Sequence, residues 1–170
     1  MRRNLELKAR CTDLAAAATA AESLGATRQG LLVQTDTYFH VPHGRLKLRE
    51  HEGGRAELIA YSRPDHPQFR SSEYQVVPVS NPIELKSALA TALGVRGEVR
   101  KHRELYLWHN VRIHLDDVSG LGTFIEFEAV LEPGESEVES LGRLEVLTRA
   151  LKIQPGDRIA VSYSDLLRLA

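Results

Sequence analysis

Polar and apolar residues alternate strictly from Asn4 to Cys11: Asn4, Glu6, Lys8 and Arg10 fall on one side, Leu5, Leu7, Ala9 and Cys11 on the other. A period of two predicts a strand with one apolar and one polar face. Thr12 or Asp13 then caps a helix carrying Leu14, Ala17, Ala21 and Leu24, which Gly25 closes. Residues 28–40 read as a strand ending in Thr35-Asp36-Thr37-Tyr38-Phe39. Arg45 to His51 and Arg55 to Arg63 read as two more, joined by the hairpin signal Glu52-Gly53-Gly54. After a polar, proline-bearing loop at 64–68, residues 70–79 alternate again, and Pro78 predicts a strand end or an edge.

A second helix has Asn81 as its N-cap, Pro82 at its first position and Glu84 at its third, and Gly94 ends it. Strands follow at about 97–108, 110–117 and 122–132, with a turn over Asp116 to Gly122. A third helix is expected from Pro133-Gly134 to about residue 151, its early acids Glu135, Glu137 and Glu139 favoured by the helix dipole. Tyr163-Ser164-Asp165-Leu166-Leu167 is expected to form one short closing turn. No repeat or linker divides residues 1–170, so one domain is expected. Many strands joined by tight turns predict an α+β fold: a closed antiparallel β-barrel of eight strands with helices packed outside.

The charged positions share strand faces. Nine bases (Lys8, Arg10, Arg45, Lys47, Arg49, Arg63, Lys101, Arg103, Arg112) stand against five acids (Glu6, Glu57, Asp116, Glu126, Glu128). For any one strand, solvent exposure explains such a face. Over six strands that explanation weakens, because the helices need an apolar surface to cover. If they cover the outside of a barrel, the charged faces line its bore. Unpaired buried charges are costly, so such a bore must hold water, metal ions or a polyanion. Basic rows suit a chain of phosphates, and the acids suit a hard cation such as magnesium or manganese.

Composition narrows the classes. The 170 residues are 42% hydrophobic and 26% charged, an ordinary soluble composition. With 22 basic and 23 acidic residues the net charge is −1, which argues against nucleic-acid binding by bulk basicity. The lone Cys11 excludes an internal disulfide and a cysteine zinc cluster. No apolar run approaches a membrane span and no apolar leader follows Met1, so the expectation is a cytoplasmic protein with no membrane partner. Seven scattered histidines show no helical zinc spacing, and neither a phosphate-loop motif nor a nucleophile elbow is present.

Asn4-Leu5-Glu6-Leu7-Lys8 resembles the ExExK signature of the CYTH domains, also called triphosphate tunnel metalloenzymes. The likeness continues in order through Asp36 to Phe39, Leu46 to Arg49, Tyr61 to Arg63, Lys101 to Arg103, Leu115-Asp116, Gly120 to Glu128 and Tyr163 to Leu167. It implies an eight-stranded tunnel that binds a triphosphate-containing small molecule with magnesium or manganese, and a homodimer as the assembly. Lys8, Lys47, Arg49, Arg63, Lys101 and Arg103 would bind phosphate. Glu6, Glu126, Glu128 and Asp116 would serve the metal, with Glu6, Lys8 and Glu126 as catalytic residues. Asn4 departs from the signature, replacing its first glutamate by a neutral amide. Hydrolysis of a triphosphate is the leading expectation. Cyclisation of ATP by a class IV adenylate cyclase and non-catalytic polyphosphate binding are the alternatives.

Overall fold

The computed structural model describes residues 2–62 and 68–169. Eight strands form β1 (Arg2–Arg10), β2 (Thr27–Phe39), β3 (Arg45–His51), β4 (Ala56–Ser62), β5 (Arg70–Val79), β6 (Val95–Trp108), β7 (Val111–Val118) and β8 (Gly122–Leu131). They close into a barrel in the order β1-β5-β4-β3-β2-β6-β7-β8. Every pairing is antiparallel, and β1 completes the ring by pairing with both β5 and β8. Closure removes the exposed strand edges that an open sheet of this size would carry.

Four helices, α1 (Leu14–Ser23), α2 (Pro82–Leu93), α3 (Glu137–Ala150) and α4 (Tyr163–Leu169), accompany the barrel. Asp13 and Asn81 cap the first two as expected, accepting from the backbone N–H of Ala16 at 2.9 Å and of Glu84 at 3.3 Å. The third helix starts later than Pro133-Gly134 suggests. Ser136 is its cap, receiving the N–H of Glu139 at 3.3 Å, and the residues before it form a turn. The expected closing turn is a helix, α4, whose first turn is held by Ser162 and Asp165: Ser162 Oγ donates to Asp165 Oδ2 at 2.6 Å. Gly53 and Gly54, at φ of 95° and 93°, make the β3–β4 turn in a region closed to most side chains. Pro78 stands one residue from the end of β5.

Two of the three hydrophobic clusters lie outside the bore. The apolar sides of β1 (Leu5, Leu7, Ala9), β7 (Ile113, Leu115) and β8 (Ile125, Phe127, Ala129) pack with Ala17 and Ala21 of α1 and Leu144 and Leu147 of α3. A second cluster puts α2 over Phe39, Leu48 and Ala56. A third lies on the inner faces: Tyr38, Val99, Val118 and Phe124, which share strand parity with the charged residues, pack with Tyr163 of α4, and Tyr38 and Tyr163 line the bore. Because neighbouring side chains of a strand point to opposite faces, burying the first two clusters outward forces the charged positions inward. No helix of the described residues is long and apolar enough to cross a membrane.

Candidate functional site

One cavity of about 300 Å³ occupies the bore, enough for a small ligand. Glu6, Lys8, Lys47, Arg49, Lys101, Arg103, Glu126 and Glu128 line it, together with Asn4, Arg112 and His114. Eight of the sequence-expected site residues therefore meet in one place. Arg63 lies outside the described residues. Asp116 does not line the cavity but sits fully buried behind its wall. Arg10 is exposed at the end of β1, and Arg45 turns to Asp165 at 3.5 Å instead of entering the bore.

Two buried carboxylates organise the cations. Asp36 of β2 receives Lys47 Nζ at 2.9 Å, Lys101 Nζ at 2.8 Å and both Nε (2.7 Å) and Nη2 (2.8 Å) of Arg49. Burial alone would raise its pKa, but Arg49, Lys101 and Lys47 overcome this and hold the carboxyl well below the usual range. Lys101 is shifted the other way: burial pushes its pKa well below the ordinary lysine value despite Asp36, and the nearby guanidinium groups of Arg49 and Arg103 add to the fall.

Asp116 of β7 plays the matching part for Arg103. It accepts Nε at 2.7 Å and Nη2 at 2.6 Å as a fork, and the hydroxyl of Tyr163 donates to it at 2.7 Å. With both oxygens engaged, Asp116 stands outside the group able to ligate a metal and acts as a bracket for Arg103. The same guanidinium reaches Glu126 at 2.9 Å, and Lys8 Nζ lies 3.4 Å from that carboxylate.

His114, Glu126 and Glu128 could hold a metal ion: one candidate ligand atom from each lies within 4.8 Å of the others. His114 Nδ1 is buried without a hydrogen-bond partner, Glu126 Oε2 being 3.6 Å away. Burial lowers the histidine's pKa, with Arg103 adding to the effect, which favours the neutral imidazole that ligates metals. A histidine with two carboxylates is a donor set that fits a divalent cation. Glu128 also pairs with Arg112 at 2.7 Å. Glu6 is outside this group and has Arg70 Nε at 3.9 Å. Asn4 is buried; with its amide turned so that both ends are satisfied, the oxygen accepts from Arg112 at 3.1 Å and the nitrogen donates to Tyr74 at 3.2 Å.

The family model for the CYTH domain matches residues 2–163. The chain belongs to the CYTH domain family. A Methanocaldococcus jannaschii protein named "Putative adenylate cyclase" is 24% identical over 133 residues, covering 77% of this chain and 75% of that one. Among solved structures, the PH1012 protein of Pyrococcus horikoshii superposes with a TM-score of 0.83 at 23% identity, over 96% of this CYTH chain and 98% of its own. The Hippeastrum protein HpAC1, titled a "putative adenylyl cyclase" with a dominant triphosphatase activity, gives 0.67 at 17% identity, over 99% and 96%. At these identities the structural likeness establishes the fold alone.

Sequence reasoning passed over Asp36, His114 and Tyr163. His114 was legible in part, since it shares strand parity with Arg112 and Asp116. Asp36 carried no such signal, because its partners come from β3 and β6 and only the three-dimensional register joins them.

Proposed function

We propose that this CYTH protein is a divalent-metal-dependent enzyme that hydrolyses a triphosphate-bearing small molecule. The observation that carries the reading is the convergence of Lys8, Lys47, Arg49, Lys101 and Arg103 on one cavity beside the His114, Glu126 and Glu128 group. Rows of cations on several strands suit an extended polyanion better than a single phosphate, and forked guanidinium groups fit its oxygens.

Lys47, Arg49 and Lys101, held together on Asp36, grip one part of the polyphosphate. Arg103 and Lys8, on the other side of the site, grip the part beside the metal ligands. A divalent ion on His114, Glu126 and Glu128 would neutralise charge on the reacting phosphoryl group, and the imidazole nitrogen favours manganese over magnesium. Glu6 lines the cavity outside the ligand group, which leaves its carboxylate to orient the attacking water and take its proton. The water oxygen bonds to the terminal phosphorus, the bridging P–O bond breaks, and Lys8 and Arg103 stabilise the negative charge that leaves on the diphosphate.

The second reading, cyclisation of ATP, draws on the names of the relatives and on the neutral inner surface of Ile59, Tyr74 and Val76, against which a base could rest. One assay separates the readings. With manganese or magnesium, the protein is expected to release phosphate from tripolyphosphate, and Glu126→Gln to lower turnover by at least about a hundredfold, in the range of lost ligand or acid–base function. Cyclic AMP and diphosphate from ATP, without phosphate release from tripolyphosphate, would favour cyclisation. Binding of tripolyphosphate without turnover of either compound would make the protein a polyphosphate binder.

A further inference from the structure

The residue that touches most of the phosphate grip without belonging to the barrel is Tyr163, at the start of α4. It is 3% exposed. Its hydroxyl donates to Asp116 Oδ2 at 2.7 Å, the oxygen that also receives Arg103 Nη2 at 2.6 Å. Its ring lies under the Lys8 ammonium, 3.7 Å from Nζ to the ring centroid. One side chain thus contacts Lys8 directly and Arg103 through Asp116, although the strands carrying them, β1 and β6, are not neighbours in the barrel.

We propose that Tyr163 is a positioning residue for the phosphate grip, fixing the directions of Lys8 and Arg103 before a polyphosphate enters. This rests on the reading of the cavity as a triphosphate site. The ring offers the ammonium a partner beside Glu126, which fixes the direction of the lysine. The hydroxyl gives Asp116 a third donor, so the carboxylate that forks Arg103 cannot rotate away from it.

The tyrosine is itself braced. Phe124 packs on its ring with centroids 4.9 Å apart. Two residues on, Asp165 is gripped by Arg45 and Arg96, and Arg70 Nη1 donates to the carbonyls of Ile159 and Ala160 at 3.1 and 2.9 Å. A long lysine loses several rotamers on binding an anion, and prior ordering removes part of that cost.

The test uses the full chain, inorganic tripolyphosphate as the probe, and three readouts: calorimetric Kd without metal, KM and kcat with manganese, and Tm. Tyr163→Leu removes ring and hydroxyl and is expected to weaken tripolyphosphate binding roughly tenfold, within the range of a desolvated cation–π contact. Tyr163→Phe keeps the ring and so should retain most of the affinity, while kcat falls roughly fivefold as the Arg103 bracket loosens, about the effect of one net hydrogen bond. A merely structural tyrosine would lower Tm in both variants and leave Kd, KM and kcat per folded molecule unchanged, which would overturn the proposal. If Tyr163→Leu does not fold, unchanged kcat in Tyr163→Phe overturns it alone. Wild-type protein that fails to bind tripolyphosphate overturns the triphosphate reading first, an outcome distinct from wild-type binding with indifferent variants.

Discussion

The two halves of the barrel are built to different rules. On β1, β6, β7 and β8 the inner face carries Glu6, Lys8, Lys101, Arg103, His114, Glu126 and Glu128. The outer faces of β1, β7 and β8 are sealed under α1 and α3. On β4 and β5 the inner face carries Ile59, Tyr61, Ser72, Tyr74 and Val76, with Glu57 and Arg70 as its charged residues. There the outward residues Ala60, Glu73, Gln75 and Val77 are exposed, and helix is met where Ala56 and Val79 join the cluster under α2. On β1, β7 and β8 charge inside goes with apolar burial outside, whereas β6 carries Lys101 and Arg103 inside and the exposed Arg100 and His102 outside. A polar inner face contributes little apolar burial, and on β1, β7 and β8 the outer face supplies it. A strand with a neutral inner face can leave its other side in water. The candidate metal ligands His114, Glu126 and Glu128 are thus carried by strands whose register is pinned, where a one-residue slip would expose the whole apolar set.

The hardest way to break this arrangement is to remove a carboxylate that holds the cations together. Asp36→Asn leaves Lys47, Arg49 and Lys101 facing one another without their shared counter-charge. It is expected to destabilise the protein by about 3–5 kcal/mol, measured by denaturant unfolding. Since the folded pKa of Asp36 is depressed, its contribution is present above the ordinary carboxylate range and lost as the pH falls through the folded value. A loss below 1 kcal/mol would mean that water rather than Asp36 offsets the repulsion among these cations.

A smaller effect should appear at alkaline pH. Burial places the Lys101 ammonium below the ordinary lysine pKa, so it loses its proton sooner than a surface lysine as the pH rises. Metal-free tripolyphosphate affinity should fall by up to about tenfold per pH unit above that lowered value. Affinity that holds until the ordinary lysine range would place the anion away from Lys101. The smallest effect belongs to the neutral half. Val77→Thr, on the wet side of β5 at 54% exposure, should change stability by no more than about 0.5 kcal/mol and leave tripolyphosphate binding unaltered. A larger loss would show that this wall is packed more firmly than its exposure indicates.

How far the sequence revealed all this follows the same division. The alternation in β1, β3, β7 and β8 is strict enough to show which side chains share a face, and the barrel with most of its lining follows from that parity. What could not be read is how faces from distant strands meet. Asp116 has the parity of a ligand, and only the structure shows Arg103 and Tyr163 occupying both its oxygens. Arg45 has lumen parity too, yet it lies at the end of β3, within reach of Asp165. Asn4 shares the face of Glu6 and Lys8, as the alternation implies. That its amide meets Arg112 and Tyr74 depends on neighbours that parity does not name.

The ring closes where β1 meets β8, and that junction governs how the molecule must come together. Lys8 opposes Glu126 across it, and the backbone of Lys8 also accepts a hydrogen bond from Ile159 N–H at 2.9 Å. These partners are separated by most of the chain, so the decisive contacts are non-local and form only after a large loop-closure cost has been met. A chain emerging during synthesis can form the β3–β4 hairpin early, whereas the anion grip must wait until β8 and α4 exist. Assembly is therefore close to all-or-none for binding: a partly built barrel has cations on its strands but no enclosure to aim them.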